Sequence, residues 1–458
     1  MRKIGRLLLR KMSIDELIEK LVGKPFEIEC REIRVHGMLD HCPPIYRGPG
    51  VLKSGKDGKI TFRMHNQIAA DALALSSLQR IKPGGGIEPS QHVRIVAEDY
   101  QDVDWTGAWS LPRKHYARGD NSVISGEFDQ LTTRIPKMKG DKRKNLTEIV
   151  YGHTLDLPLT KWIESTQRRG RKVIRKEFRA IQHDLDFKGS KVSIFESEDG
   201  ERSHVTAKGR LGFRPPHAEI WLADAIVFLT ARLRYPRLWI RYFEDSALIF
   251  LRDAPSDSRS GMPPPLGGFP MAELWELFTL YLAECEREQK LGSVEISRWV
   301  HEMIIASTGT VQAFVLSLAL CIENVIGQLL DELGVKPADK DQLRHLRDHV
   351  SQWKGDSSMR ERALGLLTML ATKSVKEGLR RLKAEKTLNK KHVDAWNKIR
   401  PYLAHGRLIE NPFDPIFWES RNLLIDMAYR LIFRKIGYEG VIREFSTNGA
   451  ASEFKWRS

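Results

Sequence analysis

The stretch "DAPSDSRSGMPPPLGGFP", residues 253–270, holds five prolines and three glycines and has little to bury. Proline lacks a backbone N–H and glycine weakens either regular element, so the stretch reads as a break in the chain. The hydrophobic period changes across it, and that change decides the fold. Upstream, "PFEIECREIRVHGML", "KITFRM", "HVRIVAED", "NSVISGEF", "KVSIFES" followed by Glu198-Asp199-Gly200, and "SALIFLRD" are short apolar segments separated by turn chemistry. They read as strands and hairpins, with helical interruptions expected around 12–22 and 160–183. Downstream, "MAELWELFTLYLAECEREQK" (271–290) carries Leu274, Leu277, Phe278, Tyr281 and Leu282 at three- and four-residue spacing. Further helices are expected near 294–306, 310–333, 339–352, 359–385, 390–404 and 415–436. Gly334 stands where a C-cap belongs, and Asn411-Pro412 with Asp414-Pro415 separates the last two helices. The expected fold class is therefore α+β and multidomain. A β-rich region (1–252) precedes a Pro/Gly-rich linker (253–270), an all-α bundle (271–445) and a C-terminal tail (446–458).

A chain of 458 residues, 41% hydrophobic and 29% charged, is long enough for two or three cores and shows no low-complexity bias. Its net charge of +15 points to polyanionic partners and says nothing about fold. The N-terminal apolar run Leu7–Leu9 is far shorter than a signal-peptide core. The most apolar window, 311–330, is interrupted by Gln312, Glu323, Asn324 and Gln328, which suits a buried bundle helix rather than a membrane span. A cytoplasmic protein with no membrane partner is expected. Cys30, Cys42, Cys285 and Cys321 make no disulfide framework, and Cys30, His36, His41 and Cys42 lack the paired spacing of a zinc site. "KPGGGIEP" (82–89) has no Gly-Lys-Ser/Thr ending and reads as a surface turn. Neither metal nor cofactor is expected.

Two segments concentrate positive charge. "RRGRKVIRKEFR" (168–179) has seven basic residues in twelve, beginning with Arg168, Arg169, Arg171 and Lys172, with Phe178 inside it and Trp162 ahead. Residues 373–400 carry ten Lys or Arg against three acids, among them Arg380, Arg381, Lys390 and Lys391. Cations at this density neutralise phosphates, and an aromatic can stack on an unpaired base. A solvated helix face is the alternative for the first run, while the field of the second would draw a polyanion towards the motif that follows it.

The second basic run leads into "AWNKIRPYLAHGRL" (395–408), with Arg400 five residues before His405. The same spacing recurs at Arg31…His36, on opposite faces of a strand-like segment, and at Arg344…His349, in a helical stretch with Asp341 and Asp348 close by. At Arg400 the context is richer: Trp396, Ile399 and Leu403 flank the pair. Pro401 is best tolerated in a first helical turn, which would put Arg400 at a helix N-terminus. Five residues advance a helix by about 500°, leaving the two side-chain directions about 140° apart. The pair would meet by a turn of the arginine or across a dimer. Histidine and arginine without clustered carboxylates suit RNA cleavage by the adjacent 2′-hydroxyl, where the imidazole moves the proton and the guanidinium offsets charge on the phosphoryl oxygens.

With the helices around them, these residues resemble the HEPN superfamily, whose signature is Arg-x4–6-His on a late helix of an all-α bundle. "WNKIRPYLAHG" and "LIFRKIGYEGVIREF" look like the C-terminal domain of the ApeA-type abortive-infection proteins of bacteria, which follow the same β-rich-then-HEPN order. The resemblance covers about 271–445; over 1–252 it is one of architecture. It implies a metal-independent endoribonuclease of anti-phage defence, released by a phage-derived trigger. The enzyme would act as a homodimer on RNA such as tRNA or another structured RNA. Catalysis maps to Arg400 and His405, and the acidic residue that family members carry on an earlier helix maps to Glu323. Pro401 departs from the polar residue common after the arginine. Some HEPN domains have lost catalysis, so a non-catalytic RNA- or protein-binding module of a defence system stands as the alternative.

Overall fold

The computed structural model describes residues 12–22, 25–37, 43–55, 58–67, 93–110, 113–116, 122–169, 172–197, 199–209, 216–253, 260–266, 271–290, 294–404 and 415–456, without the side chains of 108–116, 162–181, 401–404 and 416. Two compact units divide the chain, one formed by 1–223 with 234–257 and the other by 224–233 with 258–458. The protein is an α+β multidomain chain.

Alternating side chains give the first unit strands such as Glu27–Gly37, Ile60–His65, Val93–Asp99 and Gln130–Pro136, which send every second residue or nearly so into the core. Helix α1 (Ile14–Val22) is followed by β1 (Glu27–Gly37), β2 (Tyr46–Ser54), β3 (Ile60–His65), β4 (Val93–Asp99), β5 (Asp104–Ser110), β6 (Arg113–Tyr116), β7 (Ser122–Phe128) and β8 (Gln130–Pro136). Then come β9 (Leu146–Tyr151), β10 (Lys161–Arg169), β11 (Lys172–Phe187), β12 (Ser190–Glu196), β13 (Ser203–Lys208), helix α2 (His217–Thr230), β14 (Leu238–Tyr242) and β15 (Ser246–Arg252). They form one antiparallel sheet in the order β10-β11-β12-β13-β9-β14-β15-β8-β5-β4-β1-β2-β3-β7-β6. Within it, the run from β8 to β7 curls back on itself, because β7 and β8 sit at its two ends yet are joined by Asp129 alone. The Phe128 ring fills the enclosed side against β5, where a Cβ on Gly107 would lie 2.2 Å from that ring. The core there runs from Ile14, Leu17 and Leu21 of α1 through Ile33, Leu52, Phe62 and Trp105 to Ile249.

Two expectations fail in this unit. Residues 160–183 form no helix but the β10–β11 hairpin, paired from Trp162↔Ala180 to Arg169↔Lys172. Charges crowd the segment and hide any alternation, while β11 is fixed by backbone pairing on both sides, to β10 and to β12. Helix α2 was not foreseen among the strands. Its sequence "HAEIWLADAIVFLT" is apolar on all sides, and Ala218, Trp221, Leu222, Ala225, Ile226 and Leu229 are buried, so no polar stripe marks it as a helix. From Asp224 onward it belongs to the second unit.

The second unit contains, among the described residues, α3 (Met271–Gln289), α4 (Glu295–Ser307), α5 (Val311–Leu329), α6 (Lys340–Gln352), α7 (Ser357–Leu370), α8 (Val375–Ala384), α9 (Lys390–Ala404), α10 (Pro415–Ile436) and a hairpin of β16 (Gly440–Glu444) and β17 (Ala450–Phe454). Helix α5 is apolar and long enough to cross a membrane by length and composition, and it packs Phe314, Leu318, Ile322, Val325 and Ile326 inside the unit. Gly334 closes the turn beyond α5 as expected. Its φ is +64°, its N–H donates to the Asp331 carbonyl at 2.9 Å, and the Val335 N–H donates to the Leu330 carbonyl at 2.9 Å, a Schellman closure. Helices α6 and α7 pack on each other and bury no residue.

The expected linker is only partly one. Met262 and Leu266 are buried, Ser260 hydrogen-bonds Ser307 at 2.8 Å, and the Tyr429 hydroxyl donates to the Pro263 carbonyl at 2.6 Å, so 260–266 is part of the second unit. Nor is 446–456 a loose tail. Asn448 and Gly449, both at positive φ, turn the chain into β17, whose Phe454 is fully buried against Phe433.

A buried charge cluster ties the helices together. The Lys435 ammonium on α10 meets Glu284 at 3.0 Å and Glu288 at 2.9 Å, both on α3, and donates to Gln328 of α5 at 2.7 Å. Glu288 also accepts the Ile296 N–H at the start of α4, at 2.8 Å. Removing one partner strands a buried charge, which costs about 3–5 kcal/mol. Lys435→Met should lose about that much in denaturant unfolding of the full chain, and a loss below about 1 kcal/mol would show that the cluster does not hold the helices.

Candidate active site

Helices α5 and α9 carry the residues singled out on chemical grounds. Thr310 caps α5, its side chain accepting the Ala313 N–H at 3.2 Å. Helix α9 begins with a reciprocal cap: the Asn389 side chain accepts the His392 N–H at 3.1 Å, and the His392 ring nitrogen Nδ1 accepts the Asn389 N–H at 3.2 Å. This is the capping-box geometry with an imidazole in place of a carboxylate.

Two contacts, one helical turn apart on each helix, join α9 to α5. The buried Trp396 donates its indole N–H to the Ala319 carbonyl at 3.3 Å. One turn on, Arg400 grips Glu323 side-on, with Nε on one carboxylate oxygen and Nη2 on the other, both at 3.0 Å. The guanidinium also lies over the Trp396 ring, 5.7 Å from its centroid. The side chains of Arg400 and Glu323 stay 38% and 29% exposed, so the pair sits at the surface of the bundle. A guanidinium gripped through Nε and Nη2 keeps its other edge, formed by Nη1 and the second N–H of Nη2, facing away from the carboxylate, with the planar fork geometry that suits a phosphate.

Sequence reasoning paired Arg400 with His405 and matched Glu323 to an acidic partner. Arg400 and Glu323 do come together; His405 lies outside the described residues. The expected helix N-terminus at Arg400 is corrected: α9 runs from Lys390 to Ala404, and Arg400 is in its C-terminal half. Pro401 withholds the hydrogen bond that would run to the Asn397 carbonyl. Trp396 was seen only as apolar context. Its place one turn before Arg400 is the signal that marks it as the platform.

Of the basic residues singled out, Arg380, Arg381 and Lys390 are tied to their own chain. Arg380 reaches Glu377 at 2.6 and 2.7 Å, and Arg381 reaches Glu377 at 3.0 Å and the Leu333 carbonyl at the turn beyond α5. These two cations hold the Glu377 carboxyl down at about 2. Lys390 stands 3.6 Å from Asp394, and Lys391 is exposed. Arg168, Arg169 and Lys172 fall on β10 and β11 with side chains outside the described set, and Arg171 lies outside it altogether. So do His41, Cys42 and residues 82–89. The rival Arg344…His349 sits on α6, which buries no residue, with Arg344 paired to Asp341 at 3.2 Å.

The imidazole of His392, on α9, has a structural role. Burial, and then the nearby Arg430 guanidinium, push His392 down to about 3. An unfolded histidine titrates near 6.5, so between about 6.5 and 3 the unfolded chain holds a proton that the folded chain refuses. The stability present above pH 6.5 is therefore lost progressively as pH falls towards 3. His392→Gln should lose less stability than the wild type between pH 7.5 and 5 in thermal melts; parallel losses would contradict this role.

No protein-family model, curated protein or solved structure matches the chain.

Proposed function

We propose that the second unit is a HEPN-type endoribonuclease that cleaves RNA without a metal, through attack of the 2′-hydroxyl on the adjacent phosphorus. The observation that carries this reading is the Glu323–Arg400 pair. A guanidinium is held from one side by a carboxylate on an earlier helix and lies over the Trp396 ring, at the bundle surface. Five residues on, the chain supplies His405. In this reaction His405 takes the 2′-hydroxyl proton as the O2′–P bond forms and the P–O5′ bond breaks. The proton is returned to the departing 5′-oxygen, leaving a 2′,3′-cyclic phosphate and a 5′-hydroxyl. Arg400 offsets the charge that builds on the non-bridging oxygens, and Glu323 fixes the guanidinium so that it need not reorganise during the step.

In this reading two protomers face each other across a composite cleft, and the protein acts in the bacterial cytoplasm as an abortive-infection effector on tRNA or another structured RNA after a phage-derived trigger. The β-rich unit senses or recruits.

The test is cleavage of total RNA in EDTA by the wild type, Arg400→Ala, His405→Ala and Glu323→Gln, with product ends identified and extract from phage-infected cells added in a parallel series. Loss of general acid–base chemistry should cost His405→Ala about 100-fold or more. Arg400→Ala should be similarly impaired, and Glu323→Gln less so. Cleavage unaffected by either of the first two substitutions would exclude the mechanism. RNA retention without cleavage in both series would support the non-catalytic binding module instead.

A further inference from the structure

The first unit contains a cavity of about 370 Å³ between α1, the β4–β5 turn and the end of β8, within the range of small-molecule sites. Its inner wall is apolar, formed by Leu17, Ile28, Val103, Ile135 and the indole of Trp105. Trp105 is fixed in place: it is 1% exposed, and its N–H donates to the Asp99 carboxylate at 3.3 Å.

The charges around the cavity are asymmetric. Both carboxylates that line it are committed elsewhere. Asp99 accepts the backbone N–H groups of Gln101 at 2.8 Å and Val103 at 3.0 Å, besides the indole. Asp102 pairs with Arg31 at 2.7 Å. Of the lining cations, Lys137 turns its ammonium to the carbonyls of Phe243 and Glu244, each at 3.2 Å. Lys20, Arg134 and Lys139 line the same cavity and are exposed. Arg134 lays its guanidinium over the Phe243 ring, 5.0 Å from the centroid. That leaves Lys20 and Lys139 as the exposed cations of an apolar chamber whose acids are hydrogen-bonded or ion-paired within the fold. Such a chamber is matched by a ligand with an apolar body and a negative head.

We propose that this cavity is a binding site for a small organic anion, its apolar or aromatic body lying against Met12, Val103 and Met138 and its carboxylate, sulfonate or phosphate at Lys20 and Lys139. The site is independent of the ribonuclease reading and stands or falls separately.

Anilinonaphthalene sulfonate, an aromatic body with one anionic group, is the probe, titrated by fluorescence into the full chain. N-phenylnaphthylamine, the same ring system without the sulfonate, is the control. The wild type should show a saturable site that takes the sulfonate probe about tenfold more tightly than the neutral one, since tenfold corresponds to a modest electrostatic gain. The double variant Lys20→Glu/Lys139→Glu should lose that preference. Gln101→Trp, at an exposed lining position, should block both dyes. All three proteins should melt alike, because the altered side chains are exposed. Equal affinity for the two dyes in the wild type, no saturable site, or isotherms unchanged in both variants would overturn the proposal.

Discussion

The ammonium of Lys435 is the constraint around which the second unit is organised. A charge with 5% of its side chain exposed must be met on several sides, and it is met from α3 by Glu284 and Glu288 and from α5 by Gln328. Glu288 passes the constraint to the first turn of α4. Apolar packing alone would tolerate a slide of one helix past another, whereas hydrogen-bonded buried charges accept a single register, a role attested for such groups in other bundles. Gln328 lies five residues beyond Glu323 on α5. The height of the Glu323 carboxylate, and so the place where Arg400 finds it, is set by the same register. The Trp396–Ala319 hydrogen bond then fixes α9 one turn away from that pair.

Much of this was legible in the sequence where a single period dominates. The expected ranges 390–404 and 415–436 match α9 and α10, because an apolar stripe on a polar background has one explanation. Strands such as β1, β4 and β15 were equally plain. Strand β2 was not, since "YRGPGVLKS" carries two glycines and a proline that resemble a turn. The structure gives the reason for the glycines. A Cβ at Gly48 would lie 1.9 Å from the His65 carbonyl oxygen, and one at Gly50 would lie 2.4 Å from that of Arg63. Close approach of two backbones, rather than a bend, requires them. The Asn448-Gly449 dipeptide was a readable hairpin signal, obscured by its position near the end of the chain.

At the site, Glu323 was conspicuous as an acid in an apolar helix, and its partner turned out to be the arginine chosen on other grounds. The proline beside that arginine misled, because its preference for a first helical turn was applied to a residue well inside α9. The basic composition also overstated the open charge. A net +15 describes the field at a distance, but Arg380 and Arg381 spend their hydrogen bonds on Glu377 and the carbonyl of Leu333. Counting cations along the sequence could not reveal that Arg381 braces α8 against the turn after α5.

Helices α6 and α7 have an implication for motion. Among the described residues they bury no side chain, and Leu346, Met359, Leu366 and Met369 lie open to solvent. Their persistence therefore rests on their own caps, Asp339 and Asp356, and on contacts between the two helices. Segments held this lightly open on their own, without waiting for the whole molecule to unfold. Amide hydrogens of 340–370 accordingly exchange through local opening, while those of α5 and α10, locked behind Lys435, exchange only with global unfolding. The second unit thus carries two timescales of breathing within one continuous chain.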